Sequence, residues 1–212
     1  MHPGLPGRSD RQRAGMSDKI TNIRLAGVGG QGIIVASEVL CDALLASGYD
    51  VKKSEVHGMA QRGGTVNSDV RFGEKVYSPI IAHGEVDILL AFEQMEALRY
   101  LPSLRPGGTV IANEQRILPS AVASGKAEYP CDIEGRLSER AGNIISIDAL
   151  AFAKKAGSAR SVNVCLLGVL SRFLDVEESV WEAVITERFK SKGLEANLRA
   201  FAMGRGAVSA PE

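Results

Sequence analysis

Hydrophobic positions along this chain switch between two rhythms, and the switches mark out alternating strands and helices. Ile20 to Ala26 has strand character and runs into glycine, and apolar residues then recur at Ile33, Ala36, Leu40 and Leu44. That spacing predicts one amphipathic helix over Ile33 to Ser47, closed by Gly48. Tyr49 to Val56 reads as a second strand, which a right-handed crossover would set parallel beside the first. Next, Val66, Ser68, Val70 and Phe72 alternate with Thr65, Asn67, Asp69 and Arg71, before Gly73-Glu74 turns the chain into Lys75 to Ser78. This pattern predicts a β-hairpin, and therefore antiparallel pairing within the sheet.

Val86 to Phe92 is a nearly continuous apolar run of strand length, as a central strand covered on both faces requires. A short helix over Glu93 to Leu101, a turn at Arg105-Pro-Gly-Gly and a strand at Thr109 to Ala112 continue the rhythm. Asn113 to Ala141 is broken by Pro119, Gly125, Pro130 and Gly135, leaving a charged helix near Ile133 to Arg140. Asn143 to Ile147 is the last predicted strand, and Asp148 caps a helix running to Ala156. Beyond it the pattern is helical: Val162 to Phe173, Glu177 to Phe189 and Glu195 to Met203. The first of these is apolar nearly all round, so it is either central or part of a subunit contact. The predicted fold is α/β, a three-layer α/β/α sandwich with a mixed, mostly parallel sheet, a β-hairpin insertion and a helical C-terminus.

Composition narrows the function classes. The 212 residues are 45% hydrophobic, enough for one substantial core, which we place over residues 19–208. Residues 1–18 carry Pro, Gly, Arg and Ser without apolar period, the pattern of a disordered extension, and Met16 is a candidate native start. Lys plus Arg and Asp plus Glu number 25 each, so no overall field draws the chain to nucleic acid or to an anionic membrane. No apolar run reaches the ~20 residues of a membrane span and no apolar signal core is present, so a cytoplasmic location is expected. Cys41, Cys131 and Cys165 are widely spaced without a CxxC pair, which predicts reduced core thiols rather than a disulfide framework or metal knuckle. His2, His57 and His83 are equally scattered.

Two stretches carry candidate chemistry. Gly27-Val-Gly-Gly-Gln-Gly places Gly27, Gly29 and Gly32 at GxGxxG spacing between a strand and a helix, with Gly30 and Gln31 between them. Such a loop offers backbone N–H groups and a helix N-terminus to a phosphate. The same glycines could instead only let the helix pack closely on the strand, and Gln31 could bond a neighbouring loop rather than a ligand. Glu55 is the acidic residue that a dinucleotide site would place on a ribose hydroxyl. The second stretch, His57-Gly-Met-Ala-Gln-Arg-Gly-Gly, follows a strand directly, where open α/β sheets put ligand loops. Within it Gln61 and Arg62 present donors, and Gly63 and Gly64 allow close backbone approach. His57 is either a proton donor or a hydrogen-bonding loop residue. Asp69 and Arg71 read as a solvated or interface face of the hairpin.

Together with Ser68-Asp-Val-Arg-Phe-Gly and Val86-Asp-Ile-Leu-Leu-Ala-Phe-Glu, these stretches resemble the gamma-type subunits of 2-oxoacid:ferredoxin oxidoreductases. The His57 to Gly64 wording is most similar to the small-subunit branch of the indolepyruvate enzymes. The resemblance implies a fold like domain III of pyruvate:ferredoxin oxidoreductase. It also implies a complex that converts an arylpyruvate and coenzyme A to an aryl-acetyl-coenzyme A, carbon dioxide and reduced ferredoxin. Thiamine diphosphate, Mg and 4Fe-4S clusters are then expected in a large (alpha) subunit, with ferredoxin met through the complex and coenzyme A as co-substrate. No cofactor is expected on this chain alone, which lacks a Gly-Asp-Gly stretch. On that view the Gly29 to Gly32 amides bind phosphate, Gln61 and Arg62 face the nucleotide or the partner, and Glu55 orders the loop after it. A stand-alone NAD- or FAD-binding oxidoreductase and a non-catalytic scaffold are the competing readings, and self-association of the isolated chain stays open.

Overall fold

In the computed structural model, which describes residues 19–57 and 64–209, strands and helices alternate as β1 (Thr21–Val28), α1 (Ile33–Ala46), β2 (Asp50–His57), β3 (Thr65–Gly73), β4 (Val86–Ala91), α2 (Gln94–Tyr100) and β5 (Leu104–Asn113). Then come α3 (Ser120–Ala123), α4 (Ile133–Ser138), β6 (Asn143–Ile147), α5 (Ala149–Ala156), α6 (Val162–Leu170), α7 (Glu178–Phe189) and α8 (Leu194–Gly206). The strands form one sheet in the order β2-β3-β1-β4-β5-β6. Only β3 runs against the others, pairing antiparallel with both β1 and β2, while β1, β4, β5 and β6 pair in parallel. The expected three-layer, mostly parallel α/β/α architecture is present.

Each face of the sheet has its own core. Ile23, Leu25, Val70, Ile88, Leu90 and Ile111 face α1, α6, α7 and α8. Ala26, Leu89, Ala91, Val110 and Ala112 face α2 and α4. β4 is buried along its whole length because both layers meet over it, as its continuous apolar run required.

The hairpin differs from its expected form. β3 does not turn into a strand over Lys75 to Ser78; it folds back from β2 and lies between β2 and β1, so β2 is an edge strand and does not neighbour β1. Asp50 explains the missing strand. Its carboxylate accepts from Lys52 Nζ at 2.6 Å and from Val76 N at 2.9 Å, and the Lys52 bond, followed by the Val76 bond, holds its carboxyl down to about 2. Arg71 Nη1 then donates to the carbonyls of Ser78 and Ile80, each at 2.8 Å, so the segment after β3 is held by side chains rather than by a ladder. The polar face of β3 is likewise internal. Asp69 is buried and takes a two-pronged bond from Arg24 on β1, at 2.7 and 2.6 Å, and Asn67 accepts from Tyr100 Oη at 3.0 Å. Asp69 is therefore bonded within the sheet rather than solvated, and half-buried Arg71 ties β3 to Asn22 of β1 and to the segment after β3.

Two smaller expectations also shift. β5 starts at Leu104 rather than Thr109, because Arg105-Pro-Gly-Gly is taken up as an irregularity in its pairing with β4, with Gly107 at φ +74°. Cys41 and Cys165 are core thiols as expected, but Cys131 is exposed, since it lies between Pro130 and the α4 cap Asp132 rather than on a packed element.

The all-round apolar α6 finds its cover within this chain, with the sheet and α1 on one side and α8 on the other. Two glycines allow the crossing. A Cβ on Gly168 would lie 2.1 Å from the Phe201 carbonyl oxygen, and one on Gly204 would lie 2.0 Å from that of Cys165. Trp181 of α7 stacks on Phe201 with ring centroids 5.7 Å apart and seals the far side. Gly168→Ala or Gly204→Ala must therefore push α6 and α8 apart, and each should lower unfolding free energy by about 2–3 kcal/mol. Gly206→Ala, whose Cβ would meet nothing within 4 Å, should be neutral or slightly stabilising. Urea midpoints of the three variants check this.

Candidate functional site

The parallel strands β1 and β4 are neighbours, yet the helices that follow them leave on opposite faces: α1 packs with one core and α2 with the other. Their C-terminal ends thus frame a crevice of the kind where open α/β sheets bind ligands. The glycine loop forms one wall. Gly30 and Gly32 have φ +104° and +78°, and Gly32 caps α1 in the left-handed conformation without a side-chain cap of its own. Space is tight at both ends of the loop. A Cβ on Gly27 would sit 2.6 Å from Gln31 Oε1 and 2.9 Å from Phe92 Cβ, and one on Gly32 would sit 2.8 Å from Asn163 Nδ2. At Gly30, by contrast, a Cβ would meet nothing, so this tip is open. The GxGxxG spacing therefore serves close packing at its two ends and backbone exposure in its middle.

Gln31 occupies the floor. Its Oε1 accepts from Val28 N at 2.7 Å, and its Nε2 donates to the Phe92 carbonyl at 2.9 Å and to Gln115 Oε1 at 3.1 Å. Asn113, fully buried at the end of β5, donates to the same Phe92 carbonyl at 3.1 Å and accepts from Ala149 N, the first residue of α5, at 3.1 Å. One chain of carboxamides thereby links the ends of β1, β4 and β5 to the starts of α1 and α5. Gln115 and Asn113 were missed as site residues; their signal is position alone, polar amides at the end of an apolar strand.

Across the crevice stand two buried carboxylates. Glu93 caps α2 by accepting from Glu96 N at 3.0 Å and also accepts from Ile117 N at 3.1 Å and Tyr129 Oη at 2.5 Å. Burial, and after it the Glu93 bond, push the Tyr129 phenol far above its ordinary range. Glu96 is buried too, but less completely served. Its Oε1 accepts from Arg99 Nε at 3.0 Å and lies 3.5 Å from Thr65 Oγ1, whereas Oε2 is enclosed without a partner. Burial raises its pKa, with Arg99 opposing.

Of the residues singled out in the sequence, Gly27, Gly29, Gly30, Gln31, Gly32 and Gly64 come together, the last through a bond from Gly29 N to the Gly64 carbonyl at 2.9 Å. Glu55 does not join them. It sits on edge strand β2, separated from β1 by β3, with its carboxylate 2.6 Å from Lys53 Nζ, so it stands away from the place where a dinucleotide site needs its acidic residue. His57 ends β2 opposite Val66. Its side chain, and Gln61, Arg62 and Gly63 entirely, lie outside the described residues.

Comparison with known proteins decides the family. The model of the pyruvate ferredoxin/flavodoxin oxidoreductase family matches residues 22–207. The chain belongs to this family. It is 42% identical to an indolepyruvate oxidoreductase subunit IorB of Thermococcus kodakarensis, over 86% of this chain and 93% of that one. It is 40% identical to the corresponding subunit of Archaeoglobus fulgidus, over 86% and 92%. Among solved structures, the 2-oxoglutarate:ferredoxin oxidoreductase of Magnetococcus marinus superposes with a TM-score of 0.72 at 24% identity, over 92% of this chain and 32% of that one. In that larger polypeptide the family fold is one part of a longer chain.

The donor set of this chain does not fit a metal cluster. Burial pushes the Cys41 and Cys165 thiols up to about 12, far from the thiolate a cluster needs, and Cys131 lies apart from both on the exterior. Among the described residues no three His, Cys, Asp or Glu side chains gather as metal ligands. Nor is any described helix long and apolar enough to cross a membrane.

Two outcomes follow for the crevice. Gln31→Leu leaves Val28 N and the Phe92 carbonyl short of partners, and should lower stability by about 2 kcal/mol, read as a urea midpoint shift. For Glu96 the sign is the reverse of an ion-paired carboxylate. Its folded pKa lies above the unfolded value near 4.5, so the fold is favoured below that value and loses stability as pH rises through the folded pKa. Glu96→Gln should therefore be relatively more stable at pH 7 than at pH 4, and a pH series of denaturation midpoints for both proteins measures it.

Proposed function

We propose that this chain is the small subunit of an indolepyruvate-type 2-oxoacid:ferredoxin oxidoreductase. The complex would decarboxylate an arylpyruvate oxidatively with coenzyme A, giving an aryl-acetyl-coenzyme A, carbon dioxide and reduced ferredoxin. The observation that carries this reading is the likeness to indolepyruvate oxidoreductase subunits, at 42% and 40% identity over 86% of this chain. A second observation supports the division of labour: the cysteines of this chain do not suit a cluster. Thiamine diphosphate, Mg and 4Fe-4S clusters then belong to the large subunit, where they supply decarboxylation and one-electron transfer to ferredoxin.

In this reading the chain's own contribution is a wall. The exposed tip at Gly30 and the N–H groups opening α1, which no side chain caps, would receive a phosphate of coenzyme A. Gly27 and Gly32 keep the loop close enough to the sheet for that, and Gln31 fixes its height through the carboxamide chain. Gln61 and Arg62, between the strand ends and Gly63-Gly64, would add donors to the nucleotide or to the partner. The unit doing this would be residues 19–208, and the complex would act in the cytoplasm.

The decisive experiment is anaerobic co-expression with the large subunit of the same genome, followed by coenzyme A-dependent reduction of a viologen dye. Indolepyruvate should be oxidised by the pair and by neither chain alone, with 2-ketoisovalerate and 2-oxoglutarate poorer substrates. Arg62→Ala should raise the coenzyme A KM about tenfold or more while kcat changes less. Activity or a stoichiometric flavin in the isolated chain would refute the proposal, and loss of assembly with an unchanged KM would reduce Arg62 to a docking residue.

A further inference from the structure

β2 ends the sheet, and among the described residues no strand pairs with its outer edge. It runs from Asp50 to His57 in unbroken register with β3 and contains neither proline nor glycine, so it is straight enough to receive a further strand. Lysine on an edge strand ordinarily repels a second copy, and Lys52 and Lys53 stand in the middle of this one. Each has an acid beside it: Lys52 Nζ lies 2.6 Å from Asp50 Oδ1 and Lys53 Nζ 2.6 Å from Glu55 Oε1. The four charges cancel, so the strand as a whole does not repel itself. The faces follow from Val51, which packs against the core on the α1 side. Lys53 and Glu55 share that face, whereas Lys52, Ser54 and Val56 lie on the other, where Val56 is 58% exposed.

The order of these residues selects one way for two copies to meet. A two-fold axis normal to the sheet sets two β2 strands antiparallel and keeps each face on its own side, so only residues of the same face can stand opposite each other. The axis must then pass through a residue and not between two. Through Lys52, Lys53 or Glu55 it would bring a charge against its own copy, which destabilises a strand pair. Through Ser54 it sets hydroxyl opposite hydroxyl. Lys53 then faces the second copy's Glu55 on the α1 side, and symmetry repeats the pair, giving four charges of alternating sign. On the other face Lys52 lies opposite the second copy's Val56 and can cover that exposed side chain with its methylenes.

We propose that β2 pairs antiparallel with β2 of a second copy of this chain about an axis at Ser54, joining two six-stranded sheets into one. The glycine-loop crevice takes no part in this contact, so the pairing stands whatever that crevice binds. The test is sedimentation velocity on the full chain from about 1 to 300 µM, where a contact of one strand pair should give a dimer dissociation constant of about 10–100 µM. Lys53→Glu and Glu55→Lys each set like charges opposite each other twice, and each should weaken self-association about tenfold or more. An equimolar mixture of the two variants recovers every opposite-charge pair and should dimerise as tightly as the unchanged chain, a rescue that damage to the fold could not give. Ser54→Cys in a Cys131→Ser background should cross-link to its own copy on mild oxidation, and Lys52→Cys in the same background should not. Three results would overturn the proposal: a monomer throughout that range, self-association unmoved by either charge reversal, or a mixture no tighter than the separate variants. A chain that stays monomeric while its β2 amides gain protection from hydrogen exchange on adding the large subunit would assign the edge to that subunit instead.

Discussion

Three neighbouring parallel strands must stop on one line if their loops are to build a common surface, and here the amide side chain of Gln31 sets that line. Its oxygen holds the end of β1 and its nitrogen holds the ends of β4 and β5. The geometry depends on Gly27, because any Cβ there would collide with Gln31 Oε1 and with Phe92. A glycine of the phosphate-loop pattern thus has a packing reason that exists whether or not a phosphate ever arrives. The two accounts of such loops, anion cradle and close helix packing, are here divided among different residues of one loop.

The placement of β3 is the second constraint. Inserting an antiparallel strand between β1 and β2 puts the polar residues Asn67, Asp69 and Arg71 where a parallel sheet would carry aliphatic side chains. Each has an internal partner: Tyr100, Arg24 and Asn22 respectively. A bidentate arginine–carboxylate pair in partial burial resists competition from water far better than a surface pair. Arg24 also lies over the Tyr100 ring at 5.4 Å, so α2 is fastened to the sheet by polar as well as apolar contacts. The layer around Glu93, Glu96 and Thr65 grows out of this arrangement.

Elements defined by apolar period were legible from sequence: the β1 strand and α1 stripe, the continuous run of β4, the Asp148 cap and the helices of the C-terminal third. What the pattern could not give was partner choice. The alternation of Val66, Ser68, Val70 and Phe72 is the same whether β3 pairs with β2, with β1 or with a strand after it. Asp50, which captures Val76 N and so abolishes that later strand, carries no periodic signal. The glycine loop was legible as a loop, and its floor was not, because Gln31, Asn113 and Gln115 meet only after β1, β4 and β5 have been laid side by side. Glu55 misled for the same reason: its distance along the chain from the glycines suits a dinucleotide site, but β3 stands between them.

This packing also bears on how such a domain can serve a larger enzyme. The interior of the β1–β4 crevice is already filled by Gln31, Phe92, Asn113 and Asn163, so a ligand can reach only its outer rim, the Gly30 tip and the opening turn of α1. A rim of backbone amides can steady a phosphate but cannot surround a whole nucleotide or exclude water from a reacting carbon. The remaining walls have to come from elsewhere. In the Magnetococcus marinus enzyme the matching fold is about a third of a longer chain. On the function proposed here, a separate large subunit supplies those walls. The pre-filled crevice is then what the division requires, since a rim held rigid by its own side chains can be docked beside a reaction centre without having to fold around it.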